Sequence, residues 1–326
     1  MFYISSQGHS ASSWLSRALN VHQKIVCWHG LRSIPPYKTS NEYYRNFSPK
    51  EFVNGLEACE KNTYGEKIFG AIHGFYGIAM KQEIEKKGGN FFAIFRHPYA
   101  KINSIFSALY PKVLTSGAVE ADKIKIDSSN LLKELSEEIN NKYKEYKKYK
   151  NRKIKTKKFL EKFKLLNQAK SARSFYYNVK NKVKKNKKKD FSYNNSSIDI
   201  NSFSIKEKTN SAFDTFLHAC SRTFETDAEL IKNCNLNQFF VMEKFVSSDK
   251  YFSMMFKKIT NMELNKNQLS YIFSGFSNDN HRSDHAIKKK NNEIYESWPQ
   301  GFKNIVEDYL SNEKIREFYN KLDYHL

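Results

Sequence analysis

Two rhythms of apolar and polar positions run along this chain. Residues 2–5 form a short apolar run, the next eight positions are small or polar, and from Trp14 an amphipathic pattern begins with Leu15, Ala18 and Leu19. That order predicts strand, loop and helix. Residues 24–28 (Lys-Ile-Val-Cys-Trp) predict a second strand, and 67–72 (Lys-Ile-Phe-Gly-Ala-Ile) a third that ends at His73. A helix over about 77–87 leads through Gly88 and Gly89 into 90–95, the most apolar strand of the chain. Strands that alternate with helices imply an α/β fold with a parallel sheet and right-handed crossovers.

After Pro98 the pattern returns to a helix, with Ile102, Ile105, Phe106 and Leu109 on its apolar side and a stop near Pro111. Residues 112–205 are rich in Lys, Asn and Ser, with helical stretches around 131–166, and read as an insertion. The core pattern resumes with a helix over 212–234, a strand over 238–242, and helices around 250–259 and 268–276. A polar loop, 277–292, precedes Trp298 and a last amphipathic helix carrying Phe302, Ile305, Val306, Tyr309 and Leu310. The expected organisation is therefore one α/β core made of 1–111 and 206–326, interrupted by a Lys-rich, mostly helical insertion at 112–205.

Composition changes this picture little. Hydrophobic residues make up 40% and aromatics 15%, enough to exclude a wholly disordered chain, and no run of 18 apolar residues predicts a membrane span. The net charge of +21 suggests an anionic partner, but its location is informative. Residues 141–190 hold 21 Lys and Arg against Glu145, Glu161 and Asp190, so +18 sits there and only +3 remains for the rest. Cys27, Cys59, Cys220 and Cys234 are widely separated, with no zinc-site spacing, and the N-terminus lacks a leader pattern; a reducing, cytoplasmic setting and no metal are expected.

Two segments carry candidate chemistry. In Gln7-Gly8-His9-Ser10-Ala11-Ser12-Ser13-Trp14, small residues and hydroxyls fill the turn from first strand to first helix, where backbone N–H groups and the helix dipole favour an anion. An ordinary turn with a Ser cap has the same composition. In the second segment Arg96 ends the most apolar strand, Pro98 suits a helix start, and Ser104 follows eight residues after the Arg. A guanidinium and a hydroxyl at a sheet edge can bind a phosphate.

Together these segments resemble the sulfotransferase family, which uses 3'-phosphoadenosine 5'-phosphosulfate (PAPS). The family's 5'-phosphosulfate loop, Pro-Lys-Ser-Gly-Thr-Thr-Trp-Leu, is similar in register to Gly8-His9-Ser10-Ala11-Ser12-Ser13-Trp14-Leu15, and its 3'-phosphate motif to Arg96, Pro98 and Ser104. The resemblance extends to 239–246 and to Trp298 with the C-terminal region; it covers about 1–110 and 210–326. It implies a PAPS-binding strand-loop-helix with Gly8, His9, Ser10, Ala11, Ser12 and Ser13 around the phosphosulfate. Trp14 would face the adenine, and Arg96 and Ser104 would hold the 3'-phosphate. It also implies His73, 23 residues before Arg96, as the base, with His9 contributing to catalysis where the family commonly has Lys or Arg. Arg282, in the basic loop before the last helix, is a further phosphate candidate, and His29 would line the acceptor pocket. With Ala11 in place of the family's Gly, the left-handed freedom of glycine is missing and the loop is expected to close through ordinary backbone geometry.

The expected activity is sulfuryl transfer to a hydroxyl of a carbohydrate or other small acceptor. Its competitor is a non-catalytic nucleic-acid or polyanion binder in which a degenerate α/β core carries 141–190. Tyr143, Tyr146, Tyr149, Phe159 and Phe163 interleave with Lys there, as suits an acidic glycan or a membrane surface, with nucleic acid disfavoured; a solvated helical hairpin whose aromatics pack on the core while the Lys stems reach water has the same pattern and is preferred. A kinase-like reading is weaker, because the loop lacks the Gly-Lys-Ser/Thr of G-x-x-x-x-G-K-[ST].

Overall fold

A computed structural model describes residues 1–6, 11–29, 48–62, 67–73, 77–115, 128–162, 203–275, 291–324 and 326. The chain is a parallel α/β protein with a five-stranded sheet flanked by helices and a helical insertion region. The strands are β1 (Phe2–Ser5), β2 (Ile25–His29), β3 (Ile68–His73), β4 (Asn90–Phe95) and β5 (Phe239–Val241), in the order β2-β3-β1-β4-β5, all parallel. The helices in chain order are α1 (Ser12–Leu19), α2 (Pro49–Lys61), α3 (Gly77–Lys86), α4 (Pro98–Leu114), α5 (Ser128–Glu134), α6 (Ser136–Lys162) and α7 (Ile205–Asn233). They continue with α8 (Met242–Ser247), α9 (Asp249–Thr260), α10 (Lys266–Ser270), α11 (Asn291–Glu296), α12 (Gln300–Leu310) and α13 (Glu313–Lys321).

The residues group into two compact units. The first comprises 1–105, 218–296 and 309–326, and contains the sheet. Side chains alternate across a strand, so β1 serves two cores at once. Phe2 and Ile4 pack with Leu15, Ala18 and Leu19 of α1 and with Phe252, Met255 and Phe256 of α9. Tyr3 points the other way, edge-on to Phe52 of α2 at 6.0 Å and stacked on Phe91 at 6.1 Å, while its hydroxyl donates to the His73 carbonyl at 3.0 Å. The close packing of β1 on β3 needs Gly70, where a Cβ would sit 2.2 Å from the Phe2 ring. Gly88 ends α3 with φ 71, the left-handed position that glycine occupies without steric cost, and the chain turns directly into β4.

The second unit comprises 106–217 and 297–308. Its core is aromatic: Phe216 stacks on Phe302 at 3.8 Å, Trp298 meets Phe216 edge-on at 5.0 Å, and Phe106 and Phe213 close the cluster. The described part of the basic segment belongs here. Tyr143 is buried, Lys147 and Lys150 lie 3.8 and 3.5 Å from the Asp308 carboxylate, and Tyr149 is 63% exposed.

Several boundaries differ from the sequence expectations. α4 runs through Pro111 to Leu114, because a proline in the last turn disturbs only the preceding turn's carbonyl, and Thr115 bonds back to the Pro111 carbonyl through both N–H and hydroxyl. α7 begins at Ile205, seven residues before the expected start, behind a reciprocal cap between Ser204 and Glu207. The last helix is two, α12 and α13, with Asn312 capping the second. Among the described residues, no helix is long and apolar enough to cross a membrane.

Candidate functional site

All five strands run the same way, so their C-terminal ends form one edge of the sheet. β1 lies between β3 and β4, and the chain moves to opposite sides of β1 to build them; ligands of open α/β sheets bind outside the strand ends at such a switch point. The edge carries His29 from β2, His73 from β3, Ser5 and Ser6 from β1, and Arg96 and His97 directly after β4. Ser5 pairs with His73 on one side and Ala93 on the other, and the Ser6 N–H donates to the His73 carbonyl at 3.0 Å.

The loop leaving β1 enters α1 through Ala11, which has φ 53 and ψ 28. This corrects the expectation of ordinary backbone geometry: alanine takes a left-handed conformation at the start of α1. A methyl is the smallest side chain that can meet this clash, at a cost of roughly 1 kcal/mol. Alanine also brings no side chain to cap the helix, so α1 starts without the usual side-chain acceptor. Gly8, His9 and Ser10 lie outside the described residues.

α1 fixes its own neighbour. The Asn20 amide accepts from the Cys27 N–H at 2.9 Å and donates to the Cys27 carbonyl at 2.7 Å, and the Ser16 hydroxyl donates to the same carbonyl at 2.9 Å. These bonds hold β2 against α1, and two residues further on they bring His29 over the helix start. His29 Nε2 lies 3.0 Å from the Ser12 hydroxyl and 3.3 Å from the Ser13 hydroxyl. Loss of hydration on the inner side of the ring holds the His29 pKa below its ordinary 6.5. Trp14, expected against adenine, stacks on Phe245 at 5.9 Å and meets Phe252 and Phe273 edge-on at 5.5 and 6.0 Å, so it belongs to the aromatic core on this face.

On β3, burial and the charges of His29 and Arg222 push the His73 pKa down to about 4. The imidazole is therefore neutral at pH 7, with a lone pair to accept a proton but weak basicity.

The β4 end is built differently. Arg96 is only 4% exposed, and burial lowers its pKa against the opposing effect of Glu243 and Tyr324. Glu243, at the start of α8, accepts the His97 N–H at 3.0 Å on one carboxylate oxygen and the Tyr324 hydroxyl at 2.6 Å on the other. That hydroxyl also reaches the Phe95 carbonyl at 3.3 Å, and Lys244 pairs with Asp323 beside it. His97, 4% exposed, is pushed down to about 4 by burial and by Arg96. Directly after it, Lys101 of α4 pairs with Asp227 of α7 at 2.8 Å, and the Tyr319 hydroxyl donates to the second Asp227 oxygen at 2.6 Å. Ser104 is half-buried, six positions into α4 and about 9 Å along its axis from Pro98.

The edge thus brings together Ser12, Ser13 and His73 with His29 on one side of β1 and sets Arg96 on the other. Sequence reasoning gave no role to Glu243, Tyr324 or Arg222, and it assigned His29 to the acceptor. Arg282 lies outside the described residues. All four cysteines are free, and Cys27, fully buried, is pushed up to about 12. Among the described residues, no group of three or more His, Cys, Asp or Glu is arranged to hold a metal ion. Comparisons with protein-family models, with curated proteins and with solved structures return no match to this chain.

Proposed function

We propose that this chain is a sulfotransferase that moves the sulfuryl group of PAPS to a hydroxyl of a carbohydrate or small-molecule acceptor. The observation that carries the reading is the strand order. The loop after β1 and Arg96 after β4, some 85 positions apart in sequence, end adjacent strands at the same edge. Neighbouring strands are about 4.8 Å apart, so the ends of β1 and β4 lie within the reach of one nucleotide. The left-handed turn at Ala11 supports the reading, because strained backbone clusters at functional loops.

In this reading Gly8, His9, Ser10, Ser12, Ser13 and the backbone of the loop hold the 5'-phosphosulfate, and Arg96 with Ser104 holds the 3'-phosphate. The acceptor oxygen forms its bond to sulfur as the bond from sulfur to the 5'-phosphate oxygen breaks. The acceptor proton goes to His73, and adenosine 3',5'-bisphosphate leaves with the bonding electrons. The bound nucleotide's negative charge raises the pKa of His73 toward the range a general base needs. Glu243 balances part of the charge of Arg96, and a phosphate of roughly two negative charges adds to that balance.

Calorimetric titration of adenosine 3',5'-bisphosphate tests the site, with AMP as the control. The wild type should bind the bisphosphate and discriminate against AMP, while Arg96→Ala should lose about 2–4 kcal/mol of binding. Absence of bisphosphate binding to the wild type would end the reading. Turnover of labelled PAPS against a panel of sugars then identifies the acceptor. A second reading, polyanion binding through 141–190, is favoured by Tyr149 standing exposed among Lys147, Lys148 and Lys150; steep salt dependence of heparin binding is its signature.

A further inference from the structure

Ser6 follows β1 with its side chain 2% exposed, and its hydroxyl has no hydrogen-bond partner. Alternation along the strand puts Ser6 on the face of Phe2 and Ile4, which is the face that α1 covers. The orphaned hydroxyl therefore lies on the α1 side, where the loop to the helix start departs. A buried hydroxyl without a partner is costly, and an anion seated at the start of α1 gives it an acceptor. Ser6, Ser12 and Ser13 bring three hydroxyls to this place, and the intervening 7–10 (Gln-Gly-His-Ser) contain no lysine.

The histidine that touches two of these hydroxyls decides where their hydrogens point. With His29 Nε2 unprotonated, the ring accepts and draws a serine hydrogen toward itself. With a proton on Nε2, the ring donates to the serine oxygens at 3.0 and 3.3 Å, and both serine hydrogens are turned outward to a ligand. We infer that His29 is a positioning residue of the anion loop: its Nε2 proton makes Ser12 and Ser13 donors to the 5'-phosphosulfate, and its imidazolium supplies positive charge where the loop has no lysine. This rests on the reading of the loop as the PAPS site.

Proton uptake follows from the imidazolium part of that role, since the neutral Nε2–H tautomer already turns the serine hydroxyls outward. Among the described residues, Ser12 and Ser13 face His29 from α1, His73 faces it from β3, and Arg222 acts on His73. Loss of hydration keeps the His29 pKa below its ordinary 6.5 and so favours the neutral ring in the free protein near pH 7. An arriving phosphosulfate reverses the balance, so binding and protonation reinforce one another.

The test is calorimetric titration of adenosine 3',5'-bisphosphate into the full-length wild type, His29→Gln, His9→Gln and His73→Gln. Each is run in two buffers of different ionisation enthalpy, at about pH 6 and about pH 7.5. Relative to His29→Gln, the wild type should take up about one more proton per ligand and lose about tenfold more affinity over the pH rise. His9→Gln and His73→Gln should keep that difference. Should His29→Gln fail to fold, the Ser12→Ala, Ser13→Ala double variant should lose the uptake in its place. Equal uptake and equal pH profiles in wild type and His29→Gln, with both binding, would overturn the role of His29 and leave the PAPS reading intact. Loss of the uptake in His9→Gln alone would transfer the role to His9. No binding by the wild type would remove both readings.

Discussion

The two sides of the switch point solve opposite problems. Beside β2, His29 and Ser13 are exposed, and hydroxyls and an imidazole meet within 17 positions of sequence. After β4, Arg96, His97 and Lys101 are almost fully buried, held by Glu243, Asp227, Tyr319 and Tyr324 from remote parts of the chain. One side can rearrange its hydrogens around a ligand. The other has fixed its charges in advance. An anion site gains from both, because preorganised charge costs little reorganisation on binding whereas hydroxyl rotors adapt to the ligand.

The sharpest way to break the preorganised side is through its buried ion pair. Lys101 and Asp227 are each 1% exposed, so Asp227→Asn leaves an ammonium in the core without its counter-charge. The expected loss is about 3–5 kcal/mol of stability, measured by denaturant unfolding. Combining Lys101→Met with Asp227→Leu should recover much of it, apart from the Tyr319 hydroxyl, which then lacks its acceptor. A loss of under about 1 kcal/mol in Asp227→Asn would show that this side opens to water.

Acid separates the two sides next. His97 has its pKa pushed down from 6.5 to about 4, so folding favours the neutral ring. Its contribution to stability is complete above pH 6.5 and is lost as pH falls toward 4, for a total of about 3 kcal/mol. His73, also held at about 4, acts in the same direction. Urea unfolding at about pH 7 and about pH 4 should show that His97→Gln loses roughly 3 kcal/mol less than the wild type between them. Equal losses would mean that the ring at this position is already accessible to water.

The difference between the sides also explains what was legible beforehand. The strands β1, β3 and β4 are short apolar runs closed by polar residues, and local pattern finds them. The strand-loop-helix at the start of the chain is equally local, whereas the approach of His29 to Ser12 and Ser13, although it spans only 17 positions, was missed because His29 was assigned to the acceptor. The partners of the β4 end are not: Glu243 reaches the His97 N–H across 146 positions, and Tyr324 reaches Glu243 across 81, with no periodicity that links them. α2 is a different failure. Ser48, Pro49 and Glu51 form a capping box with proline at the helix start, a signal that local reading can use, but the surrounding polar stretch hides the buried Phe52, Val53 and Leu56. α8 was invisible for a third reason, since it follows β5 with no turn residue between them.

The smallest expected effect tests the adaptable side. Ala11 holds φ 53, where a Cβ is strained by roughly 1–2 kcal/mol, whereas glycine adopts this geometry freely. Glycine also gains freedom in the unfolded chain, which offsets about 0.4–1 kcal/mol. Ala11→Gly should therefore stabilise the fold by about 0.5–1 kcal/mol, visible as a small rise in urea midpoint at unchanged slope. If the turn is held by the hydroxyl cluster rather than by the loop backbone, the benefit should vanish in an Asn20→Ala background, where β2 and its His29 are no longer pinned to α1. Persistence of the gain in that background would assign the left-handed turn to the loop itself, and the two sides of the switch point would then each be preorganised, one by buried charge and the other by backbone.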